Sequence, residues 1–205
     1  MMNPLNSKRW LGRDATGLAL LFLTLAGLVQ AASAVEQSAF TLAKEGNRYI
    51  SEDAKDKIVQ IRSEKSVASL APDIWYIVYY DPDATLKAVE VKFVAGKKTE
   101  VKRPARILEP ITRSNEPLPK ERLKTDSDKA LAIASNEPLL EKLQIKASKL
   151  TLERRSFDDA TPVWKVRLWA SKPDNPGRQA DVGEVFITCE DGKVVKSDLK
   201  VDALE

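Results

Sequence analysis

The chain has 205 residues, with 33 Lys and Arg against 30 Asp and Glu, no His and one Cys. The missing His removes the usual general base and the commonest metal ligand, and a lone thiol allows neither a cysteine zinc cluster nor an internal disulfide. A formal charge of +3 gives no bulk electrostatic case for a nucleic-acid partner.

Residues 1–34 read as a secretory signal peptide. Lys8, Arg9 and Arg13 form a basic start, Ala15 to Val29 is apolar, and Gln30 to Ala34 supplies the small residues that a signal peptidase needs. The competing reading is a retained membrane anchor, but the apolar core is about 15 residues, short of the roughly 20 that span a bilayer. No Cys follows it, so a lipidated N-terminal cysteine is not available. Cleavage after Ala34 removes three basic residues and Asp14, so the net charge falls to +1. The expected product is a periplasmic or secreted chain, Val35 to Glu205, with no membrane span. Its fold must rest on a hydrophobic core without covalent staples. Cys189, alternating with Val185 and Ile187 in VFITCED, is expected as a small core residue.

From Val35 onward the pattern runs helix first, then strands. Ala39, Leu42 and Ala43 have the i, i+3, i+4 spacing of a helix face, with Gly46 as a stop. Strands are expected over 57–63, 73–80, 87–95 and 98–103. Residues 104–126 hold Pro104, Pro110, Pro117 and Pro119 and read as a linker, its first half packed through Ile107, Leu108 and Ile111 and its second half exposed. A second helix carries Ala130, Ile133 and Ala134, with Thr125 or Ser127 as N-cap. Pro138 fits the first turn of a further short helix with Leu139, Leu140 and Leu143. Strands follow over 148–155, 162–170, 182–190 and 193–201.

Four landmarks recur in the same order. Ala39 to Ala43 matches Ala130 to Ala134, Val59 to Ile61 matches Leu150 to Leu152, Trp75 matches Trp164, and AVEVKFVAGKK (88–98) matches VGEVFITCEDGKVV (182–195). The predicted fold is therefore α+β, with two repeats over 35–103 and 127–205. Each repeat is a helix packed on a roughly four-stranded antiparallel sheet.

Catalytic candidates are few. Ser63 with Lys65, Ser148-Lys149 and Ser171-Lys172 are Ser–Lys pairs without a supporting pattern. Asp81 and Asp83, Asp158-Asp159 and Glu190-Asp191 lie in predicted turns, where Asp bonds the local backbone. Lys97-Lys98 and Arg154-Arg155 read as solvated strand ends. No enzyme activity, cofactor or metal is expected.

Strand alternation makes the aromatics more informative. Trp75, Ile77 and Tyr79, and likewise Trp164, Val166 and Leu168, form the face beneath a helix. That leaves Tyr76, Val78 and Tyr80 on the open face of the first unit, and Lys165, Arg167 and Trp169 on that of the second. Tyr76, Tyr80, Lys165, Arg167 and Trp169 are the candidate partner-binding residues, because exposed aromatic area often marks a contact. Either the two units pack together through these faces or an external partner takes them.

The second half, with ALAIA (130–134), LTLER (from Leu150), VWKVRLW (163–169) and CEDGKVVKSDL (189–199), resembles a PepSY-like domain. The first half keeps the order but has VAGKKTEV (94–101) in place of the hairpin. The whole resembles a tandem PepSY-like module, 35–103 and 127–205, with cystatin-like sheets sharing the elements. A β-lactamase inhibitory protein has a similar two-unit architecture. The resemblance implies a non-catalytic exported module that restrains a peptidase or another envelope protein. The alternatives are a small-ligand site between the repeats and a structural envelope component.

Overall fold

The computed structural model describes residues 37–67, 69–103 and 116–204. The leader and the first half of the Pro-rich segment, including Ile107, Leu108 and Ile111, lie outside the described residues.

Among the described residues two short α-helices and eight strands form in chain order. Helix α1 (Ala39–Gly46) precedes β1 (Ile58–Ser63), β2 (Ile74–Tyr80), β3 (Ala88–Val94) and β4 (Lys97–Lys102). Helix α2 (Ser127–Ser135) precedes β5 (Gln144–Arg154), β6 (Pro162–Lys172), β7 (Asn175–Thr188) and β8 (Val194–Leu199). All strands join one antiparallel sheet in the order β4-β3-β2-β1-β5-β6-β7-β8. The expectation of two repeats, each a helix on its own four-stranded sheet, is thereby overturned.

The reason lies at the seam. Ile61 pairs with Leu152 and Arg62 with Thr151, joining β1 to β5. Ile61 and Leu152 are fully buried, so sheets ending at β1 and β5 would leave buried ladder groups without partners. Serines extend the seam past the ladder. The Ser63 hydroxyl accepts from the Leu150 amide at 2.9 Å, and Ser66 exchanges two bonds with the Ser148 backbone at 2.8 and 2.9 Å.

Both helices lie on one face and share one core, which includes Leu42, Leu131, Trp75, Tyr79, Trp164 and Leu168. Their N-termini are cross-linked. Asp126, the N-cap of α2, accepts from Ser127 N–H at 2.7 Å and also from Phe40 N–H of α1 at 3.0 Å. Ser127, expected as a possible cap, instead accepts from Ala39 N–H at 2.9 Å. One carboxylate thus meets the positive ends of two helices. Phe40 stacks on Trp164 at 6.2 Å, and the two indoles donate to Pro72 O and Thr125 O at 2.9 and 2.8 Å.

Other details differ from expectation. Pro138 opens a 3-10 turn (Pro138–Leu140) and not a helix. The second half of the Pro-rich segment is anchored where exposure was expected: Leu118 is buried, its amide bonds Ile58 O, and Thr125 N–H bonds Cys189 O. Strands β5 and β7 begin earlier than their apolar pattern indicates. In β7 the segment Asn175–Ala180 is held by pairing with β6. Both edges are protected from further pairing. The β3–β4 and β7–β8 ladders each carry a register shift, and β4 presents Lys97, Lys98 and Lys102.

Candidate functional site

The side chains not facing the helices make one surface across all eight strands. The registers align Glu100, Lys92, Tyr76, Arg62, Thr151, Lys165, Phe186 and Lys196 in a single cross-sheet row. The two halves lie side by side in the sheet, so they do not pack together through these faces.

Tyr76 sits mid-row and half-buried between two cations, with the Arg62 guanidinium 4.5 Å and the Lys92 ammonium 5.2 Å from its ring centre. Its hydroxyl donates to Glu64 at 3.0 Å. Phe186 repeats this arrangement between Lys165 at 5.9 Å and Lys196 at 5.2 Å. Phe186 is absent from the predicted set, although the inward alternation of Val185 and Ile187 already turns it outward. Lys165 pairs with Glu153, which also accepts from the Gln60 amide at 2.8 Å, so this carboxylate bridges the seam.

The remaining predicted residues are spread apart. Arg167 is two rungs from the row and grips Asp181 through Nε and Nη2 at 2.7 and 2.6 Å, with Glu184 at 3.7 Å. Its hydrogen bond to Asp181 holds the guanidinium pKa above its ordinary value. Trp169 lies four residues beyond Lys165, with the Lys65 ammonium 4.4 Å and the Arg167 guanidinium 5.8 Å from its ring. Tyr80 lies four residues beyond Tyr76 under Lys57, at 5.9 Å, and packs on the buried patch of Val59, Val78 and Ala88. Strands β2 and β6 run antiparallel, so Tyr80 and Trp169 are at opposite ends of the surface, about 26 Å apart along the strands. The structure places Tyr76 and Lys165 in one row, Arg167 beside it, and separates Tyr80 from Trp169.

Two of the three Ser–Lys candidates are committed to structure, and the hydroxyl of the third, Ser171, is buried without a hydrogen-bond partner among the described residues. Ser63 accepts from Leu150 N–H, and Ser148 donates to Leu70 O at 2.6 Å. Asp81 is buried, accepting from Asp83 N–H and Arg103, each at 3.1 Å. Glu190 pairs with Arg122 at 2.9 Å; Asp191 bonds Lys193 and Thr188, which hold its pKa at about 2. Burial raises the Cys189 thiol to about 11, far from a reactive thiolate. Among the described residues no group of three His, Cys, Asp or Glu could hold a metal ion, and no helix is long and apolar enough to cross a membrane.

A recess between the start of α1, the start of α2 and the loop before β2 holds about 90 Å³, lined by Leu42, Trp75, Leu131 and Leu150. Compared with protein-family models, curated proteins and solved structures, the chain matches none of them.

Proposed function

We propose that the protein is a non-catalytic, exported binding module that takes a protein partner of the cell envelope on its open sheet face. The carrying observation is the single continuous surface, with its central row of aromatic rings set between cations. Eight strands at their usual spacing make it roughly 34 Å wide. With about six rungs of depth it offers roughly 700 Å², close to the ~800 Å² that one partner contributes to a standard interface. Export rests on the leader sequence, and a peptidase is the partner class that the PepSY-like resemblance suggests.

A small-ligand site between the halves is less favoured. The recess at the junction of the two helix starts, at about 90 Å³, is well below the ~300 Å³ at which ligand pockets begin. The direct test is affinity capture from an envelope extract with the wild type and a Tyr80→Ser/Trp169→Ser variant. The variant is expected to lose specific partners. Recovery of the same proteins by both would remove the surface from consideration.

A further inference from the structure

On the open face most acidic strand side chains are held in ion pairs, Asp181 and Glu184 by one shared arginine. Arg62 pairs with Glu90 at 2.6 Å, Lys165 with Glu153, Arg167 with Asp181 and Glu184, Lys196 with Asp198, and Lys102 with Glu100 at 2.8 Å. Lys57, Lys65 and Lys92 stand outside these pairs. Their ammonium groups lie over Tyr80, Trp169 and Tyr76 at 5.9, 4.4 and 5.2 Å, and among the described residues none of the three makes an ion pair. A ring face attracts a cation but does not neutralise it, and the ammonium keeps donors for a further partner. The three lysines of the face without an ion pair are therefore placed at Tyr80, Trp169 and Tyr76, while the fourth outward aromatic, Phe186, has beside it lysines that are already paired.

From this we infer that the face recognises an acidic protein surface, with carboxylates seated at Lys57, Lys92 and Lys65 while the methylenes carrying them lie on Tyr80, Tyr76 and Trp169. The inference rests on the binding role proposed above and specifies its partner chemistry. The outer rings, Tyr80 and Trp169, are separated by about eight rungs and three strand spacings, roughly 30 Å corner to corner. That span exceeds any small anion and matches a macromolecular contact. Interleaved Glu90, Glu153, Asp181, Glu184 and Asp198 would repel the evenly charged backbone of a nucleic acid or a sheet of lipid phosphates. Three discrete cations between acids suit discrete carboxylates on a folded surface.

The experiment measures binding of a labelled random copolymer of glutamate and tyrosine to the full chain, with heparin and phosphatidylglycerol vesicles as comparators. The face variant is Lys57→Gln/Lys65→Gln/Lys92→Gln. The control is Lys44→Gln/Lys97→Gln/Lys98→Gln, which removes the same charge from the groove between α1 and the β3–β4 hairpin. The face variant should bind the copolymer roughly tenfold more weakly, and replacement of the same lysines by Arg should restore it. The control should bind like the wild type, and heparin and vesicles should bind less tightly than the copolymer. Absence of saturable copolymer binding, equal loss in both variants, or tighter binding of heparin or vesicles would overturn the inference. Loss in a Tyr80→Ser/Trp169→Ser variant with none in the lysine variant would overturn the charge preference while leaving the face as a binding surface. Unchanged binding in both would remove the two readings together.

Discussion

Replacing Asp126 by Ala tests whether the two helices depend on a shared cap. The carboxylate is half-buried and accepts Phe40 N–H at 3.0 Å and Ser127 N–H at 2.7 Å, so the substitution leaves donors at the start of both helices without it. Helix α1 has little in reserve. Its own cap Ser38 reaches Thr41 N–H only at 3.4 Å, and its eight residues are too few to be stable alone. A lost cap costs about 1 kcal/mol, so two lost caps together with the charge near two helix dipoles should cost roughly 2–3 kcal/mol. Asp126→Asn keeps an acceptor and removes the charge, so it should cost about 1 kcal/mol. Equilibrium urea unfolding followed by tryptophan fluorescence reads this directly. With a slope of about 2 kcal/mol per molar, Asp126→Ala should lower the midpoint by about 1–1.5 M. A loss below ~0.5 kcal/mol, or equal losses for Ala and Asn, would refute the shared-cap reasoning.

Three further outcomes follow from close packing and burial. A Cβ on Gly46 would lie 2.1 Å from the Tyr79 hydroxyl, which donates to Ala43 O at 2.6 Å; Gly46→Ala should cost about 2–4 kcal/mol and clearly less in a Tyr79→Phe background, whereas additive losses in urea unfolding would deny the clash. Gly183 has φ +102 and would bring a Cβ to 2.1 Å from Asp198 O, while Gly177 has open space; Gly183→Ala should cost at least about 2 kcal/mol and Gly177→Ala under ~0.5 by thermal melting, and similar losses would contradict the close approach of β8 at Gly183. Burial raises the Cys189 thiol from 9.0 to about 11, so its neutral form contributes stability that is complete below pH 9 and lost between pH 9 and 11. The stability gap between wild type and Cys189→Ala should therefore shrink by about 2 kcal/mol over that window, and a constant gap would exclude the thiol as its source.

What the sequence disclosed follows from what a side-chain period can encode. Alternation assigns a face, and Trp75, Ile77, Tyr79, Trp164, Val166 and Leu168 are all buried beneath the helices. Alternation says nothing about which strand lies alongside, so the β1–β5 pairing that fuses the halves was hidden in Ile61 and Leu152, which look like any inward residues. The burial of Val59 and Gln60 as well as Ile58 and Ile61 marks β1 as a central strand, yet Gln60 reads as a polar surface position until Glu153 is brought beside it. The cap was ambiguous for a related reason. Thr125, Asp126 and Ser127 are all good caps, and only the approach of α1 decides that Asp126 spans both helices. Within the candidate site, face membership was legible and proximity was not. Tyr80 and Trp169 share a face but sit at opposite ends, and Lys57 and Lys65 reach their rings from outside the strands.

The unpaired lysines raise a sharper question, because a wide sheet face with half-buried aromatics is also an association hazard. Charges set over rings keep such a surface hydrated, so Lys57, Lys65 and Lys92 would be useful even on a face that binds nothing. The two roles separate by concentration. If the lysines serve only to hold copies apart, Lys57→Gln/Lys65→Gln/Lys92→Gln should sediment faster as concentration rises, and its binding of acidic polypeptide should match wild type at high dilution. If they serve recognition, binding should fall roughly tenfold at dilutions where variant and wild type sediment identically. Glu90, Glu153, Asp181, Glu184 and Asp198 weigh toward recognition, because solvation alone requires charge of either sign. A face that holds Glu90, Glu153, Asp181, Glu184 and Asp198 in ion pairs and still leaves three ammonium groups over its aromatic rings is sorted by sign as well as wetted by charge.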